Sequence, residues 1–143
     1  MKTIEIDEIV ENFAFLDNWE DRYAYLIELG RLLQPFPHND MIESNKVQGC
    51  ISNVWLTSHL VNNSGPLKLI FNGTSDSHIL KGLLAIMLSL FSNQPPKTIL
   101  ETDEQEIMKK IHLEEHLTQQ RTNGLRSMVS KIKSIASSIE KKK

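Results

Sequence analysis

The sequence has little cysteine, little charge excess of either sign and no long hydrophobic run. Cys50 is the one cysteine among 143 residues, so no disulfide can form within the chain and a reducing, cytoplasmic setting is expected. The acidic N-terminal stretch MKTIEIDEIVENF is not typical of a signal peptide. The longest apolar stretch, Ile79 to Phe91, is shorter than the roughly 20 residues of a spanning helix. A net charge of −2 favours neither nucleic acid nor a membrane as partner.

The rest of the composition is that of one soluble globular domain. Hydrophobic residues make up 40% of the chain and charged residues 24%, which supplies enough apolar material for a core without a metal or disulfide. No internal repeat or composition break divides the chain. We therefore predict a single domain over residues 1–143, with its core at about 6–139.

Hydrophobic spacing predicts several helices. Apolar residues recur at helical intervals in five segments: Ile6 to Leu16, a helix capped at Asp17-Asn18 and running to about Leu33, one from Gly73–Asp76 through Leu90, one from Glu104 to Ile111, and one from about Arg121 to Ile139. In the third segment Ser75 or Asp76 is the expected cap. Pro95 and Pro96 are expected to interrupt the chain.

Between the second and third predicted helices, the hydrophobic residues recur at every second position, as they do in a β-strand. From Ser52 to Val61 residues alternate, with Val54, Leu56 and Leu60 on one face. A turn signal at 62–66 precedes a second strand, Leu67 to Phe71. The fold class is therefore predicted to be α+β, a small antiparallel β-sheet packed against several helices.

Cys50 is the first candidate for chemistry. Its reactivity requires an accessible sulfur and a lowered thiol pKa, and Gly49 lets it lie on a turn. A small buried hydrophobic residue is the alternative interpretation. A cysteine hydrolase would also need a base at the sulfur, and the histidines of the chain, among them His59 and His78, could reach it only through the fold.

Two further motifs admit an ordinary structural explanation. HLEEH, His112 to His116, matches a zinc-peptidase pattern if both histidines share a helical face. Such short patterns arise by chance, so a polar surface segment is favoured and no metal site is expected. Gly73 to Asp76 lacks the spacing of a phosphate loop and is interpreted as a helix cap whose carboxylate can also face a partner.

Four blocks of sequence together resemble the SufE-type sulfur-acceptor family. They occur in the family's order and cover about Trp19 to Ile135: Trp19-x-x-Arg22-Tyr23 with Leu26-Ile27-Glu28-Leu29-Gly30; Gly49-Cys50-x-Ser52-x-Val54-Trp55; Gly73-x-Ser75-Asp76 with Ile79-x-Lys81-Gly82; and His116-Leu117-Thr118-x-x-Arg121-x-x-Gly124-Leu125.

This resemblance implies a sulfur carrier for iron–sulfur cluster assembly. Cys50 would accept sulfur from the persulfide of a partner cysteine desulfurase, activate that enzyme, and pass the sulfur to a cluster scaffold. Pyridoxal phosphate would reside on the desulfurase, and this chain would bind no cofactor. The carrier would take part in transfer without turning over alone, and as a free protein it is expected to be a monomer. A docking module without sulfur chemistry is the alternative.

The resemblance also assigns roles to residues. Gln48, Gly49, Ile51 and Ser52 would shape the loop of Cys50. Asp76, Arg121, Trp55 and His116 match family positions that support the site or face the partner. For Asp76 and Arg121 a helix cap and an ion pair remain open, and Trp55 and Trp19 are expected to pack in the core. We further expect Cys50 to be partly sheltered in the free protein, between Ile51, Trp55 and nearby helices, and to swing outward on docking.

Overall fold

The computed structural model describes residues 4–50, 52–62 and 65–141. Within those residues it has six α-helices and one two-stranded antiparallel sheet, in this order: α1 (Ile6–Ala14), α2 (Trp19–Arg31), β1 (Val54–Val61), β2 (Lys68–Ser75), α3 (His78–Phe91), α4 (Pro96–Glu101), α5 (Glu104–Ile111) and α6 (Gln119–Lys141). Short 3₁₀ turns lie at His38–Asp40, Glu43–Asn45 and Glu114–His116. The predicted α+β class is confirmed.

Helix α3 is the centre of the core. Eight of its fourteen residues are buried, because it packs against α2 on one side and against the sheet and α6 on the others. Its contact with α2 depends on glycine: a Cβ on Gly82 would lie only 2.2 Å from the carbonyl oxygen of Leu26. The two helices therefore approach at backbone distance, and α2 is held firmly in place. No helix of the described residues has the length and apolarity needed to cross a bilayer.

The hairpin differs from its prediction at both strands. All eight residues of β1 pair with β2, from Val54 opposite Ser75 to Val61 opposite Lys68, so β2 continues four residues beyond the predicted end at Phe71. Leu60 was predicted to share the inner face of Val54, but its side chain is 46% exposed. Leu69, which lies opposite Leu60, is 1% exposed, so the core covers β2 at this position but leaves β1 from Ser58 to Leu60 exposed.

The longer strand also moves the start of α3. Gly73 to Ser75 lie in the sheet, so the predicted cap by Ser75 or Asp76 is wrong, and Ser77 caps the helix by accepting from the Leu80 N–H. The proline pair separates two helices as predicted, since α3 ends at Phe91 and Pro96 begins α4, a helix that the sequence did not predict. Proline suits the first turn of a helix because its missing N–H would have no partner there.

Candidate functional site

Cys50 lies on a loop that is closed at its base like a hairpin. The Val47 N–H donates to the Val54 carbonyl at 2.8 Å, and Lys46 pairs with Trp55 in an antiparallel bridge. Both valines are in the core, 2% and 0% exposed. Residues 48–50, 52 and 53 therefore lie in a short loop between two fixed ends, with the thiol near its tip.

Gly49 permits the turn that presents the thiol. Its φ is +93°, a left-handed conformation that other residues adopt only at a cost. A Cβ at this position would also lie 2.6 Å from the Ser127 Oγ of α6. Backbone conformation and close packing on α6 thus both require glycine before the cysteine.

The thiol itself is half-buried against α6. Cys50 Sγ lies 3.7 Å from the Gly124 carbonyl oxygen, to which its S–H donates, and a Cβ on Gly124 would be 3.6 Å from the sulfur. Burial raises the pKa of the Cys50 thiol above its ordinary value, because a desolvated thiolate is disfavoured. Among the described residues no histidine hydrogen-bonds to this sulfur, so no base of a cysteine hydrolase is in place.

Asp76 holds the far end of the loop. Its carboxylate accepts from the Asn53 backbone N–H at 3.1 Å and from the Asn53 side-chain amide at 2.9 Å. In return the Asp76 N–H donates to the Asn53 carbonyl, which also accepts from the Ser75 hydroxyl. These bonds fix the residue three positions after Cys50. Asp76 therefore supports the loop and is not a helix cap.

Lys131 holds the near end, a role that the sequence did not indicate. Its Nζ, reaching from α6, donates to the carbonyl of Lys46 at 3.1 Å and to that of Ser44 at 3.5 Å. Partial burial lowers the pKa of this ammonium group. The available signal was its spacing of seven residues from Gly124, which places both on one side of a helix.

Arg121 and His116 belong to a separate aromatic cluster. The Tyr23 hydroxyl accepts from Arg121 Nη1 at 3.4 Å and donates to the His116 carbonyl at 2.8 Å. The His116 ring lies over Trp19 with 3.6 Å between centroids. Among the side chains that the structure describes, no carboxylate pairs with Arg121. The cluster joins α2 to the start of α6, three residues before Gly124.

The remaining predicted residues are placed as follows. Gln48 is exposed and Ser52 is half-buried within the loop, while Ile51 lies outside the described residues. Trp55 is half-buried on β1, opposite Thr74.

The two histidines of HLEEH do not share a helical face. Helix α5 ends at Ile111, and His112 has a left-handed φ of +55° as its C-cap. His112 pairs with Glu115 at 3.5 Å. The described part of the chain contains no group of three His, Cys, Asp or Glu side chains that could hold a metal ion.

Comparison with known proteins places these features in a family. The family model described as "SufE: Fe-S metabolism associated domain" matches residues 7–136. An uncharacterized SufE-like protein of Rhizobium meliloti (strain 1021) is 50% identical over 131 residues, which are 92% of this chain and 94% of the relative. A second SufE-like protein, from Rhizobium etli, is 46% identical over 128 residues, 90% of this chain and 86% of that one.

A solved structure shares the fold. The solution structure of a hypothetical protein from Thermus thermophilus superimposes with a TM-score of 0.68 and covers 96% of this chain and 97% of its own. The two sequences are 21% identical, so this likeness concerns the fold alone.

Proposed function

Since the chain belongs to the SufE family, whose domain is associated with Fe–S metabolism, we propose that it is a sulfur carrier with Cys50 as the accepting thiol. The observation that carries the proposal is the placement of this one cysteine. It lies near the tip of a loop whose ends are fixed in the core and whose tip rests on α6. A cysteine with a purely structural role has no need of such a loop.

The proposed transfer needs no outside oxidant or reductant. The Cys50 thiolate attacks the outer sulfur of a persulfide on a partner cysteine desulfurase. The new bond joins Cys50 Sγ to that sulfur, the sulfur–sulfur bond of the donor breaks, and the donor cysteine leaves as a thiolate. The transferred sulfur keeps its oxidation state. This is thiol–disulfide exchange with a persulfide as the reactant.

Because the chain has no second cysteine, the protein that carries sulfur on Cys50 must transfer it to another molecule. Because the chain holds one thiol, a persulfide on Cys50 has no resolving thiol within the molecule. The sulfur must therefore pass to another protein, which we take to be the scaffold for cluster assembly. Removing sulfur from the desulfurase frees that enzyme for its next turnover, so the carrier also activates it. Pyridoxal phosphate stays on the desulfurase.

The resting state described above suits a carrier that must not react early. The raised thiol pKa keeps the thiolate fraction of Cys50 low in the free protein. Contact with Gly124 also limits access by small oxidants. We propose that docking moves the loop away from α6, which exposes and ionises the thiol. The free protein is proposed to be a cytoplasmic monomer.

Intact-protein mass spectrometry tests the acceptor role. The protein is incubated with a cysteine desulfurase from the same genome, pyridoxal phosphate and L-cysteine, without reductant. We expect a gain of one sulfur atom that reductant reverses. The matched control is Cys50→Ser, which differs by one atom in its side chain and leaves no other thiol.

The outcomes separate the proposal from its alternative. A docking module without sulfur chemistry would leave the Cys50→Ser variant able to activate the desulfurase. No sulfur on the wild-type protein, while the same desulfurase loads another acceptor, would refute the carrier function with this enzyme. That result would be followed by the same assay with each further desulfurase of that genome, and failure with all of them refutes the function.

A further inference from the structure

A groove lined by polar residue types lies beside the base of the Cys50 loop and has no part in the chemistry proposed so far. It has a volume of about 490 Å³ and opens widely to solvent. One wall is Gln48, two residues before the cysteine. The other is a face of α6, formed by Arg126, Ser127, Ser130, Lys131 and Ser134. Every residue of its lining is polar, and none is a carboxylate.

The groove is rich in donors that nothing in the described chain uses. Arg126 is exposed and forms no ion pair or hydrogen bond with the described residues. The hydroxyls of Ser127 and Ser130 likewise have no partner among them. Lys131 differs, since its ammonium group is bound to two carbonyl groups of the loop base. Arg126 is thus the charged group that remains available to a ligand.

The charge of α6 contrasts with that of the whole protein. Between Gln119 and Ile139 the helix carries four cationic residues and no acidic one, although the chain has a net charge of −2. Two of the four, Arg126 and Lys131, line the groove, whereas the other two lie elsewhere and bond to Tyr23 and to the Thr102 carbonyl. A local positive surface on an acidic protein gives orientation as well as attraction to an anionic partner.

We infer that this groove, defined by the six residues above, is a docking surface for an acidic segment of the desulfurase that loads Cys50. The inference rests on the proposed function and adds the chemistry of the contact. The groove shares Ser127 with the resting place of Gly49, so the two surfaces are continuous. A carboxylate bound by Arg126 would hold the partner alongside the loop that must release its thiol.

The arrangement also explains why a protein segment fits better than a small anion. The groove is open to solvent, and it has one guanidinium without a partner among the described residues together with several neutral donors. A small anion there would remain largely hydrated. An extended acidic segment can place its carboxylate on Arg126 while its backbone meets the serine hydroxyls and Gln48, which are suited to a polar interface rim.

Desulfurase activation measured against carrier concentration tests the inference. Arg126→Glu should raise the concentration needed for half-maximal activation about tenfold at low salt, because a rim charge of the wrong sign weakens encounter. The maximal rate at saturation should stay as in the wild type, because Cys50 and its loop are unchanged. Arg126→Lys should recover part of the loss. The matched control is Lys110→Glu, the same charge change at an exposed cation of α5, outside the groove.

Each result either supports or overturns the docking surface. Equal half-maximal concentrations for Arg126→Glu and Lys110→Glu overturn it, and if Cys50 of the wild type still gains sulfur, the carrier function stands. Loss of the maximal rate with unchanged half-maximal concentration also overturns it. Absence of sulfur transfer to the wild type overturns the inference together with the function it rests on. Far-ultraviolet circular dichroism of each variant ensures that folded proteins are compared.

Discussion

Replacing Gly49 with alanine should release the Cys50 loop without unfolding the protein. Alanine at a φ of +93° costs about 1–2 kcal/mol, and its Cβ would meet the Ser127 Oγ at 2.6 Å. We take the total strain as about 2 kcal/mol, which shifts the equilibrium between the seated and the open loop roughly 30-fold toward the open form. The loop can escape this strain by leaving α6, whereas the core valines at its base need not move. The seated loop is therefore destabilised relative to the open one.

The rate of Cys50 alkylation by iodoacetamide reports this change. If modification requires the loop to open, Gly49→Ala should be alkylated roughly 30-fold faster than the wild type at the same pH, for the strain estimated above. The single variant Ser127→Ala removes the neighbouring oxygen but keeps glycine, so it should resemble the wild type. The double variant should stay fast, because the backbone strain remains. An unchanged alkylation rate in Gly49→Ala would refute the seated loop as the barrier to reaction.

Two further predictions concern pH and packing. The alkylation rate of Cys50 should rise with pH to a midpoint above that of the urea-unfolded chain, because burial raises the thiol pKa. Identical midpoints for the native and the unfolded chain would contradict the burial. Since the native state holds this proton more tightly, the thiol contributes to the free energy of unfolding below the unfolded pKa, and this contribution declines as the pH rises above it. Gly82→Ala should lower the free energy of unfolding by about 3 kcal/mol in urea titrations, because its Cβ would lie 2.2 Å from the Leu26 carbonyl oxygen. Gly30→Ala, whose Cβ would lie 3.0 Å from the Gly82 nitrogen, should lower the free energy of unfolding by less. Equal losses for the two variants would argue against the close approach of Gly82 to Leu26.

Most elements of the fold could be predicted from local signals. Of the predicted cap pair Asp17-Asn18, Asn18 is the cap and accepts from the Asp21 N–H, and the helix predicted over Glu104 to Ile111 has those bounds. The errors lie where pairing between distant residues overrides local chemistry. Serine is a common helix-capping residue, but Ser75 pairs with Val54 across the sheet. The alternation of residues within β2 does not show how many of them will pair with β1.

The turn that carries the candidate cysteine was predictable from the sequence, whereas the contacts around it were less so. The glycine before Cys50 indicated a turn, and the structure has one there. The placement of Asp76 on Asn53 and of Lys131 on the carbonyl of Lys46 depends on contacts over 23 and 85 residues. A hydrogen bond to a backbone carbonyl leaves no trace in residue type. For that reason the spacing of Lys131 from Gly124 could indicate a shared side of the helix but not the carbonyl groups that Lys131 binds.

The anchored ends of the loop also limit how far the sulfur can travel. Cys50 is three residues from Val47, which is fixed in the core, and an extended chain spans at most about 3.5 Å per residue. The Cα of Cys50 can therefore move within a radius of about 10 Å from that anchor. This range is too short for the loop to carry its thiol between two distant sites. For the sulfur carrier proposed above, the donor and the acceptor must each bring a reactive sulfur to the surface of this protein, one after the other, at nearly the same point.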